Sequence, residues 1–242
     1  MSSFFNNFVV LYTRREDKFM TKENPQLIVM LTHNDKTVFN ALEIFEKCKN
    51  TKADMWGMKE EPLPVDEMIQ LYSYMKQCGK TTFLEVVAYS EKEGIEGAKL
   101  ASLCNVDILM GTTFSDEINE FCKSKNIKYM PFVGDITERP SILHGSIDKM
   151  IFDANSYIEK GAYGIDLLGY RYTGDPVLLN SRLVKEVNAP VCLAGSVNSF
   201  QRLDEVKAAN PWTFTIGSAF FENQFGDSFD NQIDTVIDYI NK

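Results

Sequence analysis

Histidine is nearly absent from this chain of 242 residues, with only His33 and His144 present, and the five cysteines stand far apart. No Cys-x-x-Cys pair or Cys/His cluster occurs, so no recognisable metal-ligand spacing exists and no bound metal is expected. A glycine-rich dinucleotide fingerprint and a P-loop are also missing, and no cofactor is expected. Cys48, Cys78, Cys104, Cys122 and Cys192 read as reduced packing residues, four of them in segments of helical pattern. Positive charge is scarce too: 25 Lys and Arg stand against 34 Asp and Glu, a formal net charge of −9. That balance argues against a sequence-independent grip on nucleic acid or on an anionic membrane, since either needs a basic surface. No apolar run is long enough to span a bilayer. Arg14 and Arg15 follow the first apolar run instead of preceding it, the reverse of a secretory signal, so a cytoplasmic location is expected.

What the chain has is a rhythm. From Gln26 onward, eight short apolar runs alternate with longer segments of helical period: Gln26–Thr32, Ala53–Met58, Thr81–Val87, Val106–Gly111, Ile127–Val133, Tyr163–Leu168, Pro190–Gly195 and Trp212–Gly217. Alternation of this kind builds parallel sheets from βαβ units. Within each run hydrophobicity is nearly continuous, so both faces of each strand are covered. One α/β domain, a (β/α)₈ TIM barrel over residues 26–242 with an N-terminal extension over 1–25, fits the length and the 44% hydrophobic content. The extension is expected to close the barrel bottom.

The intervening segments carry apolar residues three and four apart, as in Val38, Leu42 and Phe45, or Met68, Leu71, Tyr72 and Met75, and these predict helices with Lys and Glu outward. Ser115 and Ser199 read as N-caps. Thr137–Ser146, between the fifth strand and its helix, falls outside the rhythm. Loops after strand C-termini form the functional face of such barrels, so this insert reads either as a lid or as a surface excursion.

The sharpest signal lies in the last quarter, where Pro190-Val-Cys-Leu-Ala-Gly195-Ser196-Val197 and Trp212-Thr-Phe-Thr-Ile-Gly217-Ser218-Ala219 each run as a strand into Gly-Ser. Glycine lets an anion approach the backbone, and a following helix N-terminus adds positive dipole, so two such strand ends side by side suit a phosphate. Relief of crowding at tight turns explains the glycines equally simply. At these residues the sequence resembles the ribulose-phosphate-binding (β/α)₈ barrel superfamily, whose members often carry a strand ending in Ala-Gly-Gly or Ala-Gly-Ser and then one ending in Gly-Ser-Ala. The resemblance implies that Gly195, Ser196, Gly217 and Ser218 hold the phosphate of a sugar-phosphate-like ligand.

Catalytic groups must stand at or just past strand C-termini. Lys59 follows the apolar run Trp56-Gly57-Met58, where a desolvated lysine suits a Schiff base or a general base; a solvated loop lysine paired with Glu60 or Glu61 is the plainer alternative. Glu85 and Asp166 each interrupt a run otherwise fit for burial, and such carboxylates are costly unless paired or functional. Lys59 and Glu85 on neighbouring strands form either an acid/base pair or a structural ion pair. His33, in the turn His33-Asn34-Asp35, and Arg171, flanked by Tyr170 and Tyr172, are candidate substrate contacts.

Two functions follow. One is a metal-independent lyase, aldolase or isomerase acting on a small phosphorylated metabolite, with Lys59 and Glu85 at the reacting carbon and Asp166 as a second acid/base. Class I aldolases that resemble this superfamily often carry the Schiff-base lysine on strand six, and Asp166-Leu167-Leu168-Gly169-Tyr170 has none, so an aldolase would have to use Lys59. The other is a non-catalytic sensor of a phosphorylated metabolite. Phe220-Phe221 and Phe225 fit either a homo-oligomer interface or core packing.

Overall fold

Each of the eight apolar runs forms a strand, and the strands close into one parallel barrel in the computed structural model, which describes residues 24–242. The role expected for the N-terminal extension lies outside the described residues. In chain order the elements are β1 (Gln26–Met30), a short hairpin β2 (Thr32–His33) and β3 (Lys36–Thr37), α1 (Ala41–Cys48), β4 (Met55–Lys59), α2 (Val65–Gln77), β5 (Thr81–Val86), α3 (Glu91–Leu103), β6 (Ile108–Thr113), α4 (Asp116–Ser124) and β7 (Lys128–Phe132). A second hairpin follows, β8 (Asp135–Thr137) and β9 (Ile142–His144), then α5 (Ile147–Glu159), β10 (Ile165–Leu167), a 3₁₀ turn (Gly169–Arg171), α6 (Pro176–Glu186), β11 (Val191–Leu193), α7 (Phe200–Ala209), β12 (Thr213–Ile216), α8 (Ser218–Phe221) and α9 (Phe229–Ile240). Around the barrel the order is β1-β12-β11-β10-β7-β6-β5-β4, with β4 closing back onto β1.

Alternate residues along each strand point inward and outward, and this divides the core in two. The outward set packs against the helices; the inward set includes Ile28, Met30, Met55, Phe83, Ile108, Met110, Met130 and Cys192. Flexible methionines fill much of a space where eight strands converge at unequal heights. Inward-facing polar residues, Lys59 and Glu85 at the top and Asp166 deeper, break this apolar filling, and they mark the functional end of the barrel.

The caps behave as the sequence suggests: the Ser115 hydroxyl accepts from the Glu117 and Ile118 amides, and that of Ser199 accepts from the Arg202 amide. All five cysteines are free thiols. Leu42 departs from expectation, being 54% exposed. Helix α1 starts at Ala41, so Ala41, Phe45 and Cys48 make the buried stripe and Leu42 sits about 100° off it. Phe220 and Phe225 are buried, ringed by Phe200 and Phe229, which settles them as core. Among the described residues no helix is long and apolar enough to cross a membrane.

Candidate active site

The insert after the fifth barrel strand is the hairpin β8–β9. Leu143 anchors its base, fully buried, with its carbonyl accepting from the Thr173 amide. Its tip reaches across the rim. The Arg139 guanidinium meets Glu60 and Glu61, each at 3.3 Å, and donates to the Val87 carbonyl, while the Tyr89 hydroxyl donates to the Glu138 carbonyl and pairs with Ser141. Beneath it lies a cavity of about 230 Å³ at the C-terminal ends of the strands. Its lining gathers seven residues anticipated from the sequence: Lys59, Glu85, Arg171, Gly195, Ser196, Gly217 and Ser218.

Lys59 and Glu85 are register partners on adjacent strands, so their side chains rise on the same inner face. Lys59 Nζ stands 3.4 Å from Glu85 Oε1 and 2.5 Å from Asp35 Oδ1. Asp35 arrives there through the β2–β3 hairpin, in which Thr32 pairs with Thr37 and His33 with Lys36. Its two-residue turn, Asn34-Asp35, has both φ angles positive, at 49° and 66°, which is the requirement of the tight turn favoured between antiparallel strands and one that Asn and Asp tolerate. Burial alone would push the Lys59 ammonium down, but Glu85, Asp35 and the hydrogen bond it donates to Asp35 more than offset it and hold the group above the ordinary lysine value of 10.5. Lys59 is therefore a cation at neutral pH, clamped by two carboxylates. Burial pushes the neighbouring Glu60 carboxyl up, against the pull of Lys59 and Arg139.

Asp166 does not line the cavity; it lies on the barrel interior below it, fully buried between the register positions of Phe132 and Cys192. No side chain pairs with either carboxyl oxygen, and the Gly111 backbone is the polar group nearest to bonding them. Burial, reinforced by the nearby Glu85 charge, raises its pKa well above the usual carboxylate value, beyond what Lys59 can offset. Burial in that position favours the protonated carboxyl over the charged one.

On the opposite wall the chain leaves β11 with Gly195 and Ser196 both in left-handed conformations, φ 81° and 56°, and turns through Val197 and Asn198 into α7. A side chain at 195 would also press on the Arg171 stem, 2.8 Å from Cγ. Arg171 thus lies along the Gly195 loop, and its Nε is buried without a hydrogen-bond partner. Gly217 has a different reason to be glycine: a Cβ there would meet the Thr32 hydroxyl and, at 2.8 Å, the Thr32 carbonyl. The Ser218 hydroxyl already accepts from the Asn34 amide, tying the second Gly-Ser end to the Asp35 turn. His33 sits on the rim, stacked on Phe221 at 5.2 Å and 3.8 Å from Glu222, so of the anticipated contacts only His33 and Asp166 lie off the cavity wall.

Ser141, Asn198 and Glu222 also line the cavity and were not singled out as site residues, whereas Asp35 is one of the polar groups just past a strand end from which catalytic candidates are drawn. Asp35 stands in the polar turn after the first strand; nothing in the sequence marks the other three. Among the described residues no group of three His, Cys, Asp or Glu is placed to hold a metal ion.

No protein-family model matches the chain, and no curated protein matches it. Solved structures do. A native KDPGal structure is 11% identical, with 91% of this chain and 96% of that one covered and a TM-score of 0.65. Orotidine 5'-phosphate decarboxylase from Pyrococcus horikoshii is 12% identical over 90% of this chain and 100% of that one, TM-score 0.62. N-acetylmannosamine-6-phosphate 2-epimerase from Clostridium perfringens is 12% identical over 81% and 87%, TM-score 0.59. The likeness is one of fold, and the fold is the one that the resemblance to ribulose-phosphate-binding barrels implied.

Proposed function

We propose that this protein is a metal-independent enzyme acting on a small phosphorylated substrate by proton transfer beside a carbonyl, an isomerase, epimerase or lyase. The observation that carries the reading is the buried ammonium of Lys59 held between Asp35 and Glu85 in the cavity that also contains Gly195, Ser196 and Arg171. Arg171 and Lys59 are the cations of that lining, and two carboxylates offset Lys59. Arg171 is thus the cation available to a phosphate resting on the Gly195–Asn198 loop. The solved barrels that share the fold include a decarboxylase and an epimerase whose names specify phosphorylated compounds, which favours the same ligand class here.

Glu85 takes a proton from the carbon next to the substrate carbonyl, and the bonding pair moves onto the carbonyl oxygen. The Lys59 ammonium stabilises that oxyanion without leaving its ion pairs. Return of the proton to the other face gives an epimer; its delivery to the old carbonyl carbon, with the proton of the adjacent hydroxyl moving to the enolate oxygen, gives an isomer. In the lyase version Glu85 takes instead the proton of a hydroxyl on the carbon beyond, that oxygen forms a new carbonyl as the carbon–carbon bond breaks, and the pair released gives the same kind of enolate. Asp166, buried beneath the pair and out of reach of the substrate, serves as a proton reserve for Glu85. An imine at Lys59 is disfavoured, because it needs the neutral amine that Asp35 and Glu85 suppress.

Proton exchange in D₂O tests this, followed by NMR over a panel of sugar phosphates. A compound that exchanges with the wild type and not with Lys59→Met or Glu85→Gln supports the enzyme. Phosphate-dependent binding with no exchange or conversion of any compound, together with a Lys59→Ala variant that binds as well as the wild type, assigns the protein instead as a sensor.

A further inference from the structure

Barrel strand β4 meets β1 only as far as Met30↔Gly57, because the chain turns away from β1 into the β2–β3 hairpin. Beyond that point the β1-facing edge of β4 would be left with the amide and carbonyl of Lys59 unpaired and buried, a costly state. One side chain takes both. The Thr37 hydroxyl accepts from the Lys59 amide at 2.9 Å and donates to the Lys59 carbonyl at 2.8 Å, and the Thr37 amide donates to the Glu61 carbonyl at 2.9 Å. Thr37 is itself 2% exposed. It lies two residues past Asp35, at the far end of the hairpin that delivers Asp35 to Lys59.

We infer that Thr37 is the positioning residue that sets the Lys59–Asp35 ion pair, by standing in for a missing strand at the end of β4 and so locking the hairpin register to the Lys59 backbone. The inference deepens the proposed function, resting on Lys59 as the reacting cation. A hydroxyl suits the task because it is donor and acceptor at once and small enough for the space. Valine keeps the shape and loses both bonds; serine keeps both bonds.

The test reads Lys59 directly and needs no substrate: competitive acetylation with acetic anhydride over roughly pH 8 to 12, with the modified lysines mapped by mass spectrometry. Thr37→Val frees Asp35 from its place, so Lys59 acetylates faster at a given pH, about tenfold for each pKa unit lost. Thr37→Ser matches the wild type. Asp35→Asn shows the response to losing the pair outright. Thr37→Val reacting like the wild type while Asp35→Asn speeds up overturns the inference, as does Thr37→Ser reacting as fast as Thr37→Val. Should Thr37→Val fail to fold, hydrogen exchange on the wild type decides: a protected Lys59 amide supports the assignment, and exchange at an unprotected rate overturns it. Inorganic phosphate binding, followed separately by thermal shift, belongs to the far wall and stays intact in Thr37→Val. Its absence in the wild type as well would fault the proposed function and leave the Thr37 result standing.

Discussion

Lys59 Nζ lies nearer to Asp35, on a two-residue turn, than to Glu85, its register partner on the adjacent strand: 2.5 Å against 3.4 Å. The strand pair fixes two groups on one face and the turn adds the third, so the charge of Lys59 depends on a loop as well as on the barrel.

Stability at high pH should report that clamp. The folded-state pKa of Lys59 lies above the ordinary 10.5, so the stabilisation it brings is complete below that value and is lost as pH rises through the folded pKa. Urea midpoints should therefore fall more steeply above about pH 10.5 in the wild type than in Lys59→Met. Parallel alkaline limbs for the two proteins would show that Lys59 is not held above its normal range.

Asp166 should act with the same sign in a lower range of pH. Its folded-state pKa lies above the unfolded one, so its contribution is whole at pH values below 3.8 and declines as pH rises from there through the folded value. Asp166→Asn keeps the shape and cannot ionise. The stability difference between this variant and the wild type should grow in favour of the variant from acid toward neutral pH. A difference that stays flat from about pH 4 to 8 would mean that Asp166 is paired in solution.

Much of this was legible in the sequence. Eight apolar runs in βα alternation fix the barrel, and any polar residue at the end of such a run must face the mouth, which is how Lys59, Glu85 and the two Gly-Ser ends could be named. Asp35 and Thr37 act through a hairpin only six residues long, whose direction depends on two left-handed residues, and no periodicity encodes where a turn points. Ser141, Asn198 and Glu222 reach the cavity from loops, for the same reason. The depth of Asp166 below the cavity follows from barrel stagger, which a one-dimensional pattern does not carry.

The two strand-end glycines should answer substitution differently. Gly217→Ala forces a methyl against Thr32 and should cost about 1–3 kcal/mol whether or not phosphate is present. Gly195→Ala places a side chain at φ 81° and displaces the Arg171 stem, so it should weaken phosphate binding as well as stability. Arg171→Ala should abolish the phosphate shift while leaving the ligand-free melting temperature close to wild type. At ligand near 100 times its dissociation constant the wild-type stabilisation is about 2.7 kcal/mol, roughly 5–10 °C for a chain of this size. A shift that survives in Arg171→Ala would move the anion elsewhere.

The β8–β9 hairpin should behave as a strap held by charge. Its clasp, Arg139 with Glu60 and Glu61, lies next to Lys59 in sequence and at the rim in space, where Arg139 is half exposed and salt can reach it. A half-exposed pair of this kind is worth up to about 1 kcal/mol, so Arg139→Ala should open the tip more often, by up to about fivefold. Hydrogen exchange over residues 135–144 would measure that directly. Ionic strength then separates two effects on ligand entry that have opposite signs. Attraction of an anionic ligand to Arg171 weakens with salt and slows association, whereas release of the clasp speeds it. If the strap limits entry, the association rate in the wild type rises with salt over the range where the clasp is screened, and in Arg139→Ala it only falls. A rate that falls with salt in both proteins would leave the hairpin a fixed wall of the cavity, and Ser141 on it a static contact.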